Sequence, residues 1–142
     1  MHSPNPWQSY RQVATQTAPP GQLVLMLYEG AIRFLERALS GFAHDDPAEF
    51  NLTINNNVQR AQDIIRELDA SLNMAVGGPF ADNMRRLYDY LDRRLMESNL
   101  KKQDGGIREV IKHLAVLRDA WSGLLQGLGS VPAQVLKEQL AA

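Results

Sequence analysis

No cysteine occurs in the 142 residues. That excludes disulfide staples and thiolate chemistry, and it fits a reducing cytosol. Histidine is almost missing too, with only His2, His44 and His113. A dimetal site in a helical protein normally uses Glu-x-x-His pairs on facing helices. The residue three before His113 is Val110 and the one three before His44 is Gly41, so no such pair exists. No metal site and no cofactor are expected. Long glycine loops are lacking: "VGG" and "DGG" are turn signals and do not have the form of a phosphate-cradling loop. G-x-S-x-G is absent. With no nucleophile, base and orienter in view, an enzyme is not expected.

Charge of one sign is lacking as well. The formal net charge is -1 and the isoelectric point is near 6.3. A general nucleic-acid binder would normally be strongly basic. Long apolar runs are absent: the run that opens at Leu23 meets Glu29, too soon to cross a bilayer. No basic segment followed by an apolar one opens the chain, so no secretory leader is expected. The lone "NLT" at Asn51 therefore reads as chance. β-branched residues never alternate with polar ones over a useful length, so strands are not expected either.

What is present is a globular composition, 44% hydrophobic and 22% charged, in a chain long enough for one domain with a sizeable core. Period-3.6 patterns dominate. Residues 1–18 form a polar segment that holds Trp7, Tyr10 and Val13, spaced by three. Pro19 and Pro20 start a first helix, where a missing N–H costs nothing, and it should run to about Phe42. Asp46 can cap a second helix that has Pro47 at its first position. Pro79 opens a third, and Asp104 is positioned to cap a fourth from about Gly106 to Gln126. Ser130 can cap a short last helix near 132–141. Short connections between long helices imply antiparallel neighbours. The expected fold is all-α: an antiparallel up-down four-helix bundle with a short fifth C-terminal helix and a mobile N-terminal segment. On this reading 1–18 cover a groove and 19–142 form the bundle.

Each residue turns a helix by about 100°. On that wheel Ile54, Val58, Ala61, Ile64, Ile65, Leu68 and Leu72 fill an arc of roughly 120° on the second helix. Phe80, Met84, Leu87, Tyr88, Leu91 and Leu95 do the same on the third and leave Tyr90, Met96 and Leu100 outside. The fourth helix carries an arc from Ile107 to Leu128, with Val116 and Ala120 outside. Six basic residues dot the end of the third helix and its middle, but Asp82, Asp89 and Asp92 are interleaved with them. A solvated face with internal ion pairs is expected there, not a phosphate site. Glu109 and His113, one turn apart, read as a surface pair.

The first helix, around "LVLMLYEGAIRFL", is different: its apolar residues fill roughly 200° of the wheel. One edge, with Leu23, Leu27, Phe34 and Ala38, can face the core. The far edge, with Leu25, Ile32, Leu39 and Tyr28, then points elsewhere. A neighbouring helix or the chain's own N-terminal segment could cover it. Alternatively the edge is a groove for a partner helix read at i, i+3, i+4 and i+7.

"NPWQSYRQVATQTAPPGQLVLMLYEGAIRFLERAL" resembles the start of the flagellar secretion chaperone family, FliS. "AQDIIRELDASLN", "LYDYLDRRLMESNLKK" and "LRDAWSG" resemble its later helices in order and spacing. Tyr10 matches the family's N-terminal tyrosine, and Trp7 stands where an aromatic is common. Thr17 and Ala18 match the pre-helix motif, from which Pro19 departs. Leu27, Tyr28 and Gly30 match the first helix. Leu87, Tyr88, Tyr90, Arg93 and Asn99 match the third, and Trp121 the fourth; Tyr28, Tyr88 and Trp121 read as mainly structural. The resemblance implies a cytosolic export chaperone. Its partners would be the C-terminal segment of flagellin and a component of the export gate, and the free chain would be a monomer or a weak homodimer. The partner-binding candidates are Trp7, Tyr10, Leu25, Tyr28, Ile32, Leu39 and Tyr90. The competing expectation is a structural bundle that homodimerises through the broad face of the first helix.

Overall fold

The computed structural model describes residues 20–75 and 77–128. Over these the chain is helical, with four helices and no strand: α1 (Pro20–Gly41), α2 (Pro47–Ala75), α3 (Gly78–Lys101) and α4 (Gly105–Leu128). The expected fifth helix, the Ser130 cap and the N-terminal segment with Trp7 and Tyr10 lie outside the described residues.

The helix boundaries follow from local chemistry. Asp46 caps α2 as its sequence position predicts: its Oδ2 accepts the Glu49 N–H at 3.0 Å. Pro47 follows at the first helical position, where it has no hydrogen bond to lose. α3 starts without a side-chain cap. Gly78 instead takes φ +83, a conformation that only glycine adopts at no steric cost, and Pro79 follows. The helix ends where Lys102 turns left-handed at φ 51 and its N–H reaches the Ser98 carbonyl. Asp104 starts α4 by a different bond from the one its sequence position implies. Its backbone carbonyl accepts the Arg108 N–H at 3.0 Å, and its carboxylate takes the Arg108 guanidinium at 2.9 Å.

α1 and α3 each pack against both α2 and α4. The core between them is the one that the wheels of the later helices indicate. Ile54, Val58, Ala61 and Ile64 of α2, Leu91 and Leu95 of α3, and Ile107, Val110 and Leu114 of α4 are all fully buried. Tyr90, Met96, Leu100 and Val116 stay exposed, as their places outside the arcs require. On α3, Arg85 pairs with Asp82 and Arg93 with Asp89 within the helix. This is the solvated, self-paired face that the sequence pattern implies.

The expectation that fails is the far edge of α1. Ile32 and Tyr28 are each only 5% exposed, and Leu39 packs partly buried against the core; only Leu25 remains half open outside it. The physical reason is the closeness of its neighbours. α1 lies in the angle between α2 and α4, and it packs more extensively against each of them than α3 does against the same two helices, so both of its flanks are buried. Ala31 and Ala38, each fully buried, let the backbones come close enough for this.

Polar ties cross between helices at the margins. Asn99 donates to Asn55 at 2.9 Å, and Gln62 to the Asp92 carbonyl at 3.4 Å. Arg94 reaches Glu109 at 3.1 Å. Gly106 sits where α4 presses on the last turns of α3, so a Cβ there would lie 2.8 Å from the Arg94 carbonyl oxygen. Gly106→Ala should therefore cost about 1–3 kcal/mol, because backbone has to move. Gly105→Ala, which points into open space, should stay within about 0.5 kcal/mol of wild type. Chemical denaturation of the two variants checks the contrast; equal stability would show that α4 does not start against α3 in this way.

Candidate partner-binding cleft

Where α1 begins, α2 ends, α3 begins and α4 runs to its close, the described residues leave the core open. A cleft of about 260 Å³ lies there. Val24 and Tyr28 of α1 face Leu68 and Leu72 of α2, with Phe80 and Met84 of α3 and Leu117 and Trp121 of α4 completing the walls. Phe80 opens the apolar arc of α3 and Leu72 closes that of α2, while α4 runs on past Trp121 through Leu124 and Leu125.

Two hydrogen bonds fix the cleft. The Trp121 indole N–H donates to the Gly21 carbonyl at 2.6 Å, tying the last turns of α4 to the first turn of α1. The approach is close: a Cβ on residue 21 would lie 2.7 Å from Leu125 Cδ2, and the end of that leucine would have to shift. Deeper in, the hydroxyls of Tyr28 and Tyr88 meet at 2.6 Å, joining α1 to α3, and either can be the donor. Burial pushes both phenols up from their ordinary pKa; for Tyr88 the neighbouring Tyr28 and the charge of Asp69 push further.

A second recess, of about 310 Å³, opens between α2 and α3 and shares Tyr88 with the first. Its walls are charged: Arg66, Asp69, Arg85, Asp89 and Asp92. It is mostly self-paired, with Arg66 on Asp63 at 3.2 Å and on Asp92 at 3.5 Å. Among the described residues no group of three or more histidines or carboxylates could hold a metal. No helix among them is long and apolar enough to cross a membrane.

Of the seven residues singled out from sequence, Trp7 and Tyr10 lie outside the described residues. Tyr28 lines the cleft. Ile32 is in the core, and Leu39 packs against the core on the last turns of α1, far along the helix from the cleft. Leu25 is half exposed. Tyr90 is 40% exposed on the α3–α4 surface, where its hydroxyl donates to Glu109 and its ring meets His113 edge to face. Of the five described, the structure brings only Tyr28 to the cleft. Phe80, Met84 and Trp121 were legible only as core. The signal that could have marked them is their position at helix ends, where an apolar arc outruns its neighbours.

The flagellar protein FliS family model matches residues 3–127. A flagellar secretion chaperone FliS from Bacillus subtilis is 37% identical over 122 residues, covering 86% of this chain and 87% of the relative. The protein of that name from Salmonella typhimurium is 33% identical over 126 residues, covering 85% and 90%. A flagellar secretion chaperone FliSB from Pseudomonas aeruginosa is 27% identical over 128 residues, covering 87% and 98%.

The tyrosine pair makes a pH prediction. Both folded-state values lie above the unfolded value near 10, so the unfolded chain loses its phenolic protons first. The stabilisation is complete below about pH 10 and falls as pH rises above it, by up to about 1.4 kcal/mol per pH unit for each phenol. Tyr28→Phe/Tyr88→Phe should flatten that alkaline decline in urea melts taken between roughly pH 9 and 11. An unchanged slope would mean that these phenols are not held protonated by the fold.

Proposed function

This chain belongs to the flagellar protein FliS family, and we propose from that premise that it keeps the C-terminal segment of flagellin unpolymerised until export. The family is one of chaperones and not of enzymes, and a chaperone role in flagellar export follows from membership. The finer reading is the flagellin segment as client, delivery to the export gate and action in the cytosol.

The observation that carries it is the apolar cleft among the ends of four helices. Its size sets what it can take. An engineered cavity of about 150 Å³ accepts a benzene ring, so a cleft of about 260 Å³ accepts one or two apolar side chains and not a whole helix. A client helix would ride across the mouth and insert anchors. The client is disordered alone and folds as it binds; such coupled folding buries on the order of 1,000–3,000 Å² and is opposed by ordering entropy. The scaffold is an antiparallel up-down four-helix bundle. That reading is supported by Asn55 pairing with Asn99 and Gln62 with the Asp92 carbonyl, since residues later in α2 meet earlier ones in α3. Residues 1–18, with Trp7 and Tyr10, cover part of the binding surface when no client is present.

The competing reading is a homodimer through the broad face of α1. It loses its surface, because Tyr28 and Ile32 are buried against the chain's own helices.

Calorimetry with a synthetic flagellin C-terminal segment should give binding with a negative heat-capacity change. Absence of binding at about tens of micromolar would sink the proposal. Removing residues 1–15 should alter the affinity, and identical titrations would end the covering role of that segment. Light scattering should show a monomer or a weak dimer that the client dissociates; a stable dimer indifferent to the client would favour the homodimer.

A further inference from the structure

The cleft has one polar feature that its own walls leave incomplete. Tyr28 and Tyr88, which both line it, meet hydroxyl to hydroxyl. Two phenols carry two O–H protons. Their mutual bond uses one, and the hydroxyl that accepts it still has its own proton to give. Among the described residues no hydrogen bond takes that proton. Ser71, the other hydroxyl lining the cleft, is turned to the Glu67 carbonyl at 3.0 Å. Asp69, whose charge acts on Tyr88 from the neighbouring recess, has a buried Oδ1 that accepts no hydrogen bond at all. A donor left unused in apolar surroundings is costly.

We infer that the Tyr28–Tyr88 pair is the specificity element of the cleft, donating its second O–H to a side-chain oxygen of Asn, Gln, Ser or Thr on the helix that docks there. The inference rests on the client-helix reading and names the chemistry within it. Other acceptors fit less well. The backbone carbonyls of a docked helix are already used, except in its last turn. A carboxylate would be desolvated beside the negative charge of Asp69. A neutral side-chain oxygen has neither problem. Such a spot also sets register: a helix with only apolar anchors could slide along the cleft, whereas one polar partner in a dry site fixes a single alignment. A site built to hydrogen-bond a ligand group rejects analogues that lack it much more strongly than an apolar pocket rejects a missing methylene.

The test is a peptide scan. In a synthetic flagellin C-terminal segment, each Asn, Gln, Ser and Thr is replaced in turn by alanine and titrated calorimetrically into the full chain. One position should lose about tenfold in affinity, flanked by apolar positions that are also sensitive. In Tyr28→Phe/Tyr88→Phe, checked for folding by its melting curve, the loss at that one position should shrink to less than about twofold. The same loss in both proteins, or a flat scan, overturns the inference and leaves the client reading standing. Failure of the parent peptide to bind the wild-type chain overturns both. Should the double variant not fold, the phenolic O–H resonances of the wild-type complex decide. One of them should be protected from exchange by the parent peptide and not by the peptide with alanine at the sensitive position; equal behaviour with both peptides overturns the inference.

Discussion

The breadth of the apolar surface on α1 governs how the other helices are placed. A strip of that width cannot be dried by one neighbour, so α1 lies in the angle between α2 and α4, and α3 closes the far side against the same two helices. Small residues make this possible. Ala31 and Ala38 are fully buried, and larger side chains there would hold the flanking helices off. Leu27 and Leu35, at 1% and 0% exposure, then fill the centre. Complete burial of such side chains is worth about 1.5–3 kcal/mol each.

The same arrangement produces the cleft. Four helices that converge around a common core must each stop, and at the end where α1 begins they stop with apolar side chains still to cover. Phe80 and Met84 on α3 and Trp121 on α4 are partly buried there. Methionine adapts to irregular partners. The Trp121–Gly21 and Tyr28–Tyr88 bonds hold the walls apart at fixed places. For a chaperone of an export substrate this is a workable balance. The fold itself is secured by α1 and its neighbours, and among the described residues the cleft end is left uncovered.

The legible part of this molecule was whatever depends on one helix at a time. The Asp46 cap, the Pro47 start, the arcs of α2, α3 and α4, and the exposure of Tyr90, Met96, Leu100 and Val116 all follow from local pattern, and the structure has them. Family motifs were legible because they are strings. What could not be read is whatever depends on how many neighbours a helix has. A wheel shows that α1 is apolar over roughly 200°, but it cannot show how closely the two flanking helices will approach that face, so Ile32 and Tyr28 were placed on an open edge when they are covered. The cleft was equally hidden. Its walls come from positions as far apart as Val24 and Trp121, and it exists only because four helix ends fall at one level. Asp104 gives a smaller instance: a capping residue in the right place spent its carboxylate on Arg108, since the competing partner was a charged one.

The bond between Trp121 and Gly21 has a consequence beyond the cleft it closes. It places the start of α1 beside the end of α4, so both points at which the described chain is entered and left stand at the mouth of the cleft. Anything covalently attached at either point is presented to that mouth at an effective concentration that short flexible links put near millimolar. A group linked directly at Pro20 or Leu128 becomes a tethered competitor, able to mask a weaker free ligand without changing the fold. The turns between α1 and α2 and between α3 and α4 lie roughly 30 Å away along the helices. A label placed there reports on the cleft without entering it.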